Sequence, residues 1–212
     1  MIITYQGKSA IKIQQGDLVV ALNPISKESD AKASSFGSDI VIISTDHPDC
    51  NGISNATRGD REPFVIKGPG EYEVKDVIVK GFLSETNYGG KKRINTIYRI
   101  TIDEMTVLYL GVLGTITLSS EVAEEVDNVD ILIAPIGGEG ALDANEAYKL
   151  VVSFEPKITI PILFDHDKKG VCLKEFTSEG GYDSLKPEDK LTIKKKDLAD
   201  KDGDVVVLSP GV

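Results

Sequence analysis

The stretch DIVIISTDHPDCNG, residues 39–52, joins a continuous apolar run to a polar loop that carries several candidate metal ligands. An unbroken apolar run of this kind predicts a strand buried on both faces. The loop holds His47, Asp49 and Cys50 at the carboxyl end of that strand, where sites commonly lie in α/β folds. With histidine in place of Thr45 and Cys50, the loop would be a dense ligand cluster. We therefore interpret it either as a metal site with altered ligands or as the remains of one.

The segments on either side of this strand predict a single α/β domain that spans residues 1–212. Short β-branched segments separated by turn residues fill the first half and are typical of strands. The second half alternates strands with helices, and Asp143 with Glu146 three residues later marks a helix start. Two sheets with helices on the outside explain this order. Further predictions are a helix over residues 118–126, a hairpin turn at Asp103 and Glu104, an exposed loop over residues 84–95, and a terminal pair of strands in the tail.

Composition and charge exclude several classes of protein. Of the 212 residues, 41% are hydrophobic and 27% are charged, as is usual for a soluble globular protein. A net charge of −10 argues against nucleic-acid binding, because phosphates would be repelled. No apolar stretch reaches the ~18 residues of a membrane span, and no signal peptide is evident, so we expect a cytoplasmic protein. The two cysteines form no spacing motif, and two histidines are too few for a scheme that needs several imidazoles.

The order of the segments resembles the metallo-β-lactamase superfamily, in particular its small bacterial members that are similar to metal-dependent hydrolases. The resemblance covers most of the chain, from Met1 to Phe164. The segments that carry it are, in chain order, MIITYQGKSAIKI, VVALNP, VIISTDHPDCNG, GPGEYEVKDVIVKG, NTIYRI, LYLGVLG, ILIAPIGG and ITIPILF. This resemblance implies an αββα sandwich with metal ions held at the mouth between the two sheets.

The resemblance also implies where the family's metal ligands fall in this sequence. The second histidine of the family's H-x-H-x-D-H motif is retained as His47. Its aspartate is retained as Asp49, which in many members binds a second metal and holds the attacking water. The remaining ligand positions carry other residues: Thr45, Cys50, Ser84 or Glu85, Val112 and Leu163. The resemblance therefore implies a retained scaffold with a degenerate metal site.

These substitutions decide the chemistry that we expect. A catalytic zinc needs three protein ligands and an open position for water, whose pKa the ion lowers. Val112 and Leu163 have no lone pair to offer, and Thr45 is a poor neutral ligand. Loss of a single residue that supports a ligand lowers metal affinity by ~10–100-fold. Loss of several ligands themselves should therefore abolish tight binding. We predict that the chain has lost metal-dependent hydrolysis, holds no cofactor, and acts as a non-catalytic binding or structural module.

A metal-dependent hydrolase with a shifted ligand set remains an alternative function. His47, Asp49 and Cys50 would join His166, which follows the last predicted strand, and would bind zinc or another divalent metal with Asp49 as the catalytic residue. Cys50 with His47 as its base would also suit a metal-free thiol enzyme. The same side chains equally suit structural roles, as loop hydrogen-bond partners and as a small buried residue. The sequence names no partner and leaves a homo-oligomer open.

Overall fold

The apolar run of residues 40–43 forms an interior strand of a six-stranded sheet. The protein is described from a computed structural model that covers residues 1–59, 62–125, 127–164, 169–182 and 185–211. The first sheet contains β1 (Ile2–Gly7), β2 (Ala10–Gln15), β3 (Leu18–Leu22), β4 (Ile40–Ile43), β5 (Phe64–Lys67) and β12 (Leu191–Thr192). Their order is β12-β1-β2-β3-β4-β5, and β4 runs parallel to both of its neighbours. All four residues of β4 are buried, which confirms the sequence prediction.

The second sheet combines an antiparallel meander with parallel strands. It contains β6 (Gly70–Val74), β7 (Val77–Thr86), β8 (Arg93–Ile102), β9 (Met105–Tyr109), β10 (Ile131–Pro135), β11 (Ile158–Ile162) and β13 (Asp204–Val205). The order is β13-β11-β10-β9-β8-β7-β6, with β9, β10, β11 and β13 parallel to one another. Asp103 and Glu104 join β8 to β9 with φ values of 51° and 60°, which confirms the predicted hairpin turn.

Three α-helices are described: α1 (Ser120–Glu125), α2 (Ala144–Phe154) and α3 (Val171–Glu179). Short 3-10 helices lie at Ile53–Ala56, Tyr88–Gly90 and Lys195–Leu198. The predicted start of α2 is confirmed, because the Glu146 backbone N donates to Asp143 Oδ1 at 2.8 Å and the Asp143 backbone N donates to Glu146 Oε2 at 3.1 Å. Of the predicted helix 118–126, residue 126 lies outside the described residues. No helix in the described ranges has the length and apolar character needed to cross a membrane.

Two apolar cores hold these layers together. One lies between the sheets and includes Ile42 of β4 and Ile133 of β10. The other lies between the second sheet and all three helices, which contribute side chains such as Val122, Leu150 and Phe176. On its outer face the first sheet packs against the 3-10 helix of residues 53–56 and nearby loop residues. The α/β sandwich predicted from the sequence is therefore confirmed, with its described α-helices on the second sheet.

Two segments differ from the sequence prediction. Much of the loop predicted over residues 84–95 is strand, because β7 continues to Thr86 and β8 begins at Arg93. The predicted terminal pair is wrong, since β12 pairs with β1 and β13 pairs with β11, in different sheets. A short segment is more stable when it extends an existing sheet edge than when it pairs alone.

A buried carboxylate ties the C-terminal segment to the second sheet. Asp130 is 3% exposed, and its Oδ2 accepts hydrogen bonds from Lys195 Nζ at 2.8 Å and from the Thr106 backbone N at 2.9 Å. Lys157 Nζ lies 3.1 Å from Oδ1. Burial alone would raise the pKa of Asp130, but the hydrogen bonds from Lys195, Thr106 and Lys157 outweigh it and hold that pKa below its usual range.

We expect Asp130→Asn to lower the free energy of unfolding by about 1–3 kcal/mol near neutral pH. The folded-state pKa of Asp130 lies below the unfolded value, so the carboxylate stabilises the fold above an unfolded pKa of about 3.9. That contribution is lost as pH falls through the folded-state pKa. Urea unfolding at neutral pH and at several acidic pH values measures it. A difference between wild type and variant that does not shrink in acid would contradict the prediction.

Candidate functional site

The polar loop of residues 44–51 begins where β4 ends, and a buried asparagine fixes its first residue. Asn23 follows β3, accepts a hydrogen bond from the Ser44 backbone N at 2.7 Å and donates to Ser44 Oγ at 2.8 Å. The same amide donates to Ser9 Oγ at 3.0 Å. Asn23 has a φ of 43°, which asparagine adopts more readily than most residues. The loop is thus held against the turn between β1 and β2 and the end of β3.

Apolar side chains fill the place to which the resemblance assigns several metal ligands. Cys50, Val112 and Leu163 pack with Tyr88 and Ala141 in one buried group, which we call the site cluster. None of its members is more than 8% exposed. The fold therefore brings three predicted ligand positions together, as the resemblance implies, but it closes them around hydrocarbon, a thiol and an aromatic ring.

The thiol of Cys50 stays protonated in this cluster. Burial raises the pKa of Cys50 to about 12, and the contact between its Sγ and Ser9 Oγ at 3.5 Å opposes the rise only in part. The thiolate is the form that binds zinc or attacks a carbonyl carbon. Cys50 is therefore a weak ligand and a weak nucleophile in its present surroundings.

Both carboxylate oxygens of Asp49 accept hydrogen bonds from within the chain. Its Oδ2 accepts from the Tyr88 hydroxyl at 2.7 Å, and its Oδ1 accepts from the Ser29 hydroxyl. Lys8 Nζ lies 4.0 Å from Oδ2 and balances part of the charge. The side chain is only 12% exposed. Asp49 therefore links the loop after β4 to two other segments.

His47 lies beside Asp49, and its ring contacts both its own loop and the segment that carries Tyr88 and Gly89. Its Nδ1 accepts a hydrogen bond from the Asp49 backbone N at 3.1 Å and lies 3.8 Å from Asp49 Oδ2. The ring packs edge-on against Tyr88, with centroids 4.9 Å apart. Gly89 packs against the other nitrogen so closely that a Cβ there would lie 2.6 Å from Nε2. Burial lowers the pKa of His47, although the charge of Asp49 acts in the opposite direction, so the neutral ring is favoured.

The remaining predicted ligand positions are engaged elsewhere. The Thr45 hydroxyl donates to a backbone carbonyl of β8 at 2.7 Å, and the Ser84 hydroxyl donates to another at 2.9 Å. Glu85 forms an exposed ion pair with Lys92 at 2.8 Å. Within the ranges that the structure describes, no three His, Cys, Asp or Glu side chains are grouped to hold a metal ion. His166, with its neighbours Asp165 and Asp167, lies outside the described residues, so the ligand set that includes it stays a prediction.

Sequence reasoning missed the residues that organise the site. Asn95 is fully buried, accepts a hydrogen bond from the Val112 backbone N at 3.1 Å and donates to the Leu110 carbonyl at 3.0 Å. Gly111 lies between them with a φ of 63°, and a Cβ there would lie 2.5 Å from Ser44 Oγ. Tyr88, in a segment predicted as loop, donates to Asp49. The only sequence signal for Asn95 was its place as a polar residue next to the apolar run of a strand. No sequence signal marked Tyr88 as a site residue.

Comparison with known proteins decides the family. A family model described as a beta-lactamase superfamily domain matches residues 2–163. The chain belongs to this family. No curated protein gives a significant match to the sequence.

Solved structures of this superfamily share the fold along nearly the whole chain. A proposed zinc-dependent hydrolase of the metallo-β-lactamase superfamily from Thermotoga maritima has 22% identity and a TM-score of 0.72, covering 98% of this chain and 97% of its own. A proposed metal-dependent hydrolase from Parabacteroides distasonis has 17% identity and a TM-score of 0.66, with 98% and 93% covered. Igni18, a metallo hydrolase from Ignicoccus hospitalis, has 17% identity and a TM-score of 0.65, with 91% and 99% covered. At these identities the likeness shows the fold alone.

In the part of the chain that the structure describes, the donor set does not fit the metal centre that the resemblance implies. Val112 and Leu163 supply no lone pair, and the Cys50 thiol holds its proton. His47 and Asp49 keep donor atoms, but those atoms take part in hydrogen bonds of the loop.

Proposed function

We propose that this chain is a member of the beta-lactamase superfamily that does not hydrolyse substrates and acts as a binding module on the retained sandwich. One observation carries the proposal: the site cluster packs Val112 and Leu163 against Cys50, Tyr88 and Ala141 where the resemblance places ligands. Activation of water requires a cation that is held by lone pairs and keeps one position open. A closed apolar cluster offers neither.

The surroundings of the site cluster support the proposal. Asp49 accepts hydrogen bonds from Ser29 and Tyr88, so a metal at Asp49 would compete with two donors already in place. Zinc binding at Cys50 would first require removal of a proton from a thiol whose pKa burial raises to about 12. The Asp49 carboxylate and the Cys50 thiol are therefore more simply explained as structural parts of the folded loop than as ligands of an absent metal.

The hydrolase with a shifted ligand set is the competing function. His47 and Asp49 remain adjacent, with Nδ1 and Oδ2 separated by 3.8 Å, and the related structures are named as hydrolases. This alternative requires Asp49 to release Tyr88 and to meet Cys50 and His166 around one ion.

Metal analysis of the purified chain separates the two functions. After incubation with zinc, manganese or ferrous iron and removal of free ions, we expect far less than one bound ion per chain. We also expect no hydrolysis of bis-p-nitrophenyl phosphate or of a simple lactone above a metal-only blank. The matched variant is Asp49→Ala, which should leave this low metal content unchanged. A near-stoichiometric ion that Asp49→Ala removes, together with hydrolysis above the blank, would favour the hydrolase instead.

A further inference from the structure

A groove lies beside the site cluster and shares no residue with it. Its volume is about 680 Å³, within the range of ~300–1,000 Å³ that is common for small-molecule sites. The end of β4 with the following loop forms one wall, the corner between β5 and β6 forms another, and the start of β8 forms the third. Its lining includes Asp46, Lys67, Pro69, Arg93, Ile94 and Thr96.

The wall formed by β8 presents one exposed apolar side chain, that of Ile94, near the start of the strand. Strand β9 pairs with β8 only from Tyr98 onward, so the first residues of β8 project beyond β9. They pair with β7, and the Thr96 backbone N also donates to the Ser44 carbonyl at 2.8 Å. Ile94 is 60% exposed on this projection and lines the groove. Pro69 lines the groove from the corner between the sheets. Ile94 and Pro69 therefore give the groove an exposed apolar side against which the body of a small ligand can lie.

Arg93 places a fixed cation at the lip of this groove. Its Nε donates to the Asp46 carbonyl at 3.1 Å, and its Nη1 donates to the carbonyls of Tyr88 at 2.9 Å and Lys91 at 3.3 Å. These three backbone acceptors fix the guanidinium without neutralising it. In the described part of the chain, Nη2 has no acceptor and Arg93 forms no ion pair. A guanidinium with unused donors is well suited to bind a carboxylate or phosphate.

The charges around the groove leave an excess of positive charge. Lys67 lines it from the end of β5 and forms no ion pair with a described residue. Asp46 is the carboxylate of the lining, and its Oδ1 accepts a hydrogen bond from Asn51 Nδ2 at 2.8 Å. Two cations and one carboxylate give a local charge of +1 on a chain whose net charge is −10. An anion is therefore the ligand that this groove complements.

We propose that the groove binds a small organic anion, in which an acidic group such as a carboxylate, sulfonate or phosphate is attached to an apolar body. The acidic group contacts Arg93 and Lys67, and the apolar body lies against Ile94 and Pro69. This inference rests on the proposed function in one respect, namely that the chain binds its ligand without converting it. It deepens that function by naming the chemical class of the ligand.

Two fluorescent probes of the same shape test the proposal. Anilinonaphthalene sulfonate carries the acidic group, and phenyl-naphthylamine has the same aromatic body without it. We expect saturable binding of one sulfonate probe per chain, at least about 10-fold tighter than the neutral probe, because a charge-assisted hydrogen bond has that effect on affinity. Amide NMR signals of Lys67, Ile94 and Thr96 should shift on titration with the sulfonate.

Variants assign the binding to the groove. Arg93→Gln should weaken binding of the sulfonate about 10-fold or more and leave the neutral probe unchanged. Ile94→Asp, at an exposed position that tolerates a charge, should weaken both probes. The matched control is Lys190→Gln, which removes a charge from an exposed residue outside the groove and should change neither.

Three outcomes would overturn the inference: equal affinity for the two probes, binding that does not saturate, or binding of the sulfonate that both Arg93→Gln and Ile94→Asp leave intact. Thermal unfolding of Ile94→Asp checks that it is folded, and Arg93→Lys repeats the test with the charge retained. Metal content is measured on the same samples. A stoichiometric metal with probe binding intact would reject the proposed function and leave the groove as a binding site. Low metal content without probe binding would reject the groove as a binding site and leave the absence of hydrolysis in the proposed function standing.

Discussion

Replacing Val112 with aspartate is expected to lower the free energy of unfolding by about 3–5 kcal/mol. Val112 is fully buried in the site cluster, and its described neighbours in that cluster carry no cation. Its backbone N is already bonded to Asn95. The new carboxylate would either be buried as an unpaired charge or would take up a proton and remain a poorly bonded polar group, and both are costly.

Val112→Thr is the control for this prediction, because it keeps the shape of valine and replaces one methyl group by a hydroxyl. We expect it to cost about 1–3 kcal/mol, less than the aspartate. Urea unfolding of both variants, with and without zinc, measures the effect. If the site needed only its carboxylate to be restored, zinc at 100 times its Kd would return ~2.7 kcal/mol to Val112→Asp. Such a rescue would contradict a closed apolar cluster.

The parts of the fold that could be predicted from the sequence depend on short-range signals. Three such signals are the apolar run of β4, the turn at Asp103 and Glu104, and the capping box of α2. In each of them, the residues that form the signal lie within a few positions of one another in the sequence. Helix α3 lacks such signals, since Gly170 precedes it and caps it with no side-chain hydrogen bond. The two short strands of the tail could not be assigned, because their partners are distant edges of different sheets.

The candidate site was predictable only through the order of segments. That order placed Cys50, Val112 and Leu163 at positions that meet in the structure. Tyr88 and Ala141 join them from segments without any motif, and nothing in the local sequence announces a contact that only the folded chain makes. The groove at Arg93 was missed for the same reason, because its walls come from β4, the corner after β5, and β8.

Leu163 stands at one of the positions where the resemblance implies a ligand, and its backbone conformation is unusual for leucine. Its φ is 64°, a left-handed conformation that is strained for leucine but several-fold enriched for histidine, a common metal ligand. The Leu163 backbone N is held by the Lys8 carbonyl at 2.8 Å and the Tyr5 hydroxyl at 3.1 Å. Hydrogen bonds of the surrounding fold therefore maintain a backbone geometry that the present side chain does not favour.

Removal of the Asp49 carboxylate is the second large effect that we expect. Asp49→Ala should lower the free energy of unfolding by about 2–4 kcal/mol near neutral pH, because it leaves the buried Tyr88 hydroxyl without its acceptor and releases Ser29. Urea unfolding of Asp49→Ala, Tyr88→Phe and the double variant forms a cycle. The two residues are in contact, so their effects should be non-additive by about 1–3 kcal/mol.

The sign of the Asp49→Ala effect separates a structural carboxylate from an abandoned ligand. A carboxylate whose role is to bind a metal destabilises the folded protein when the metal is absent, and its removal commonly stabilises the protein. A carboxylate that joins the loop after β4 to Tyr88 and Ser29 stabilises the fold whether or not an ion is present. Asp49→Asn should fall between wild type and Asp49→Ala, because the amide keeps one acceptor oxygen for Tyr88. A variant more stable than wild type would return Asp49 to the role of a ligand and favour the hydrolase.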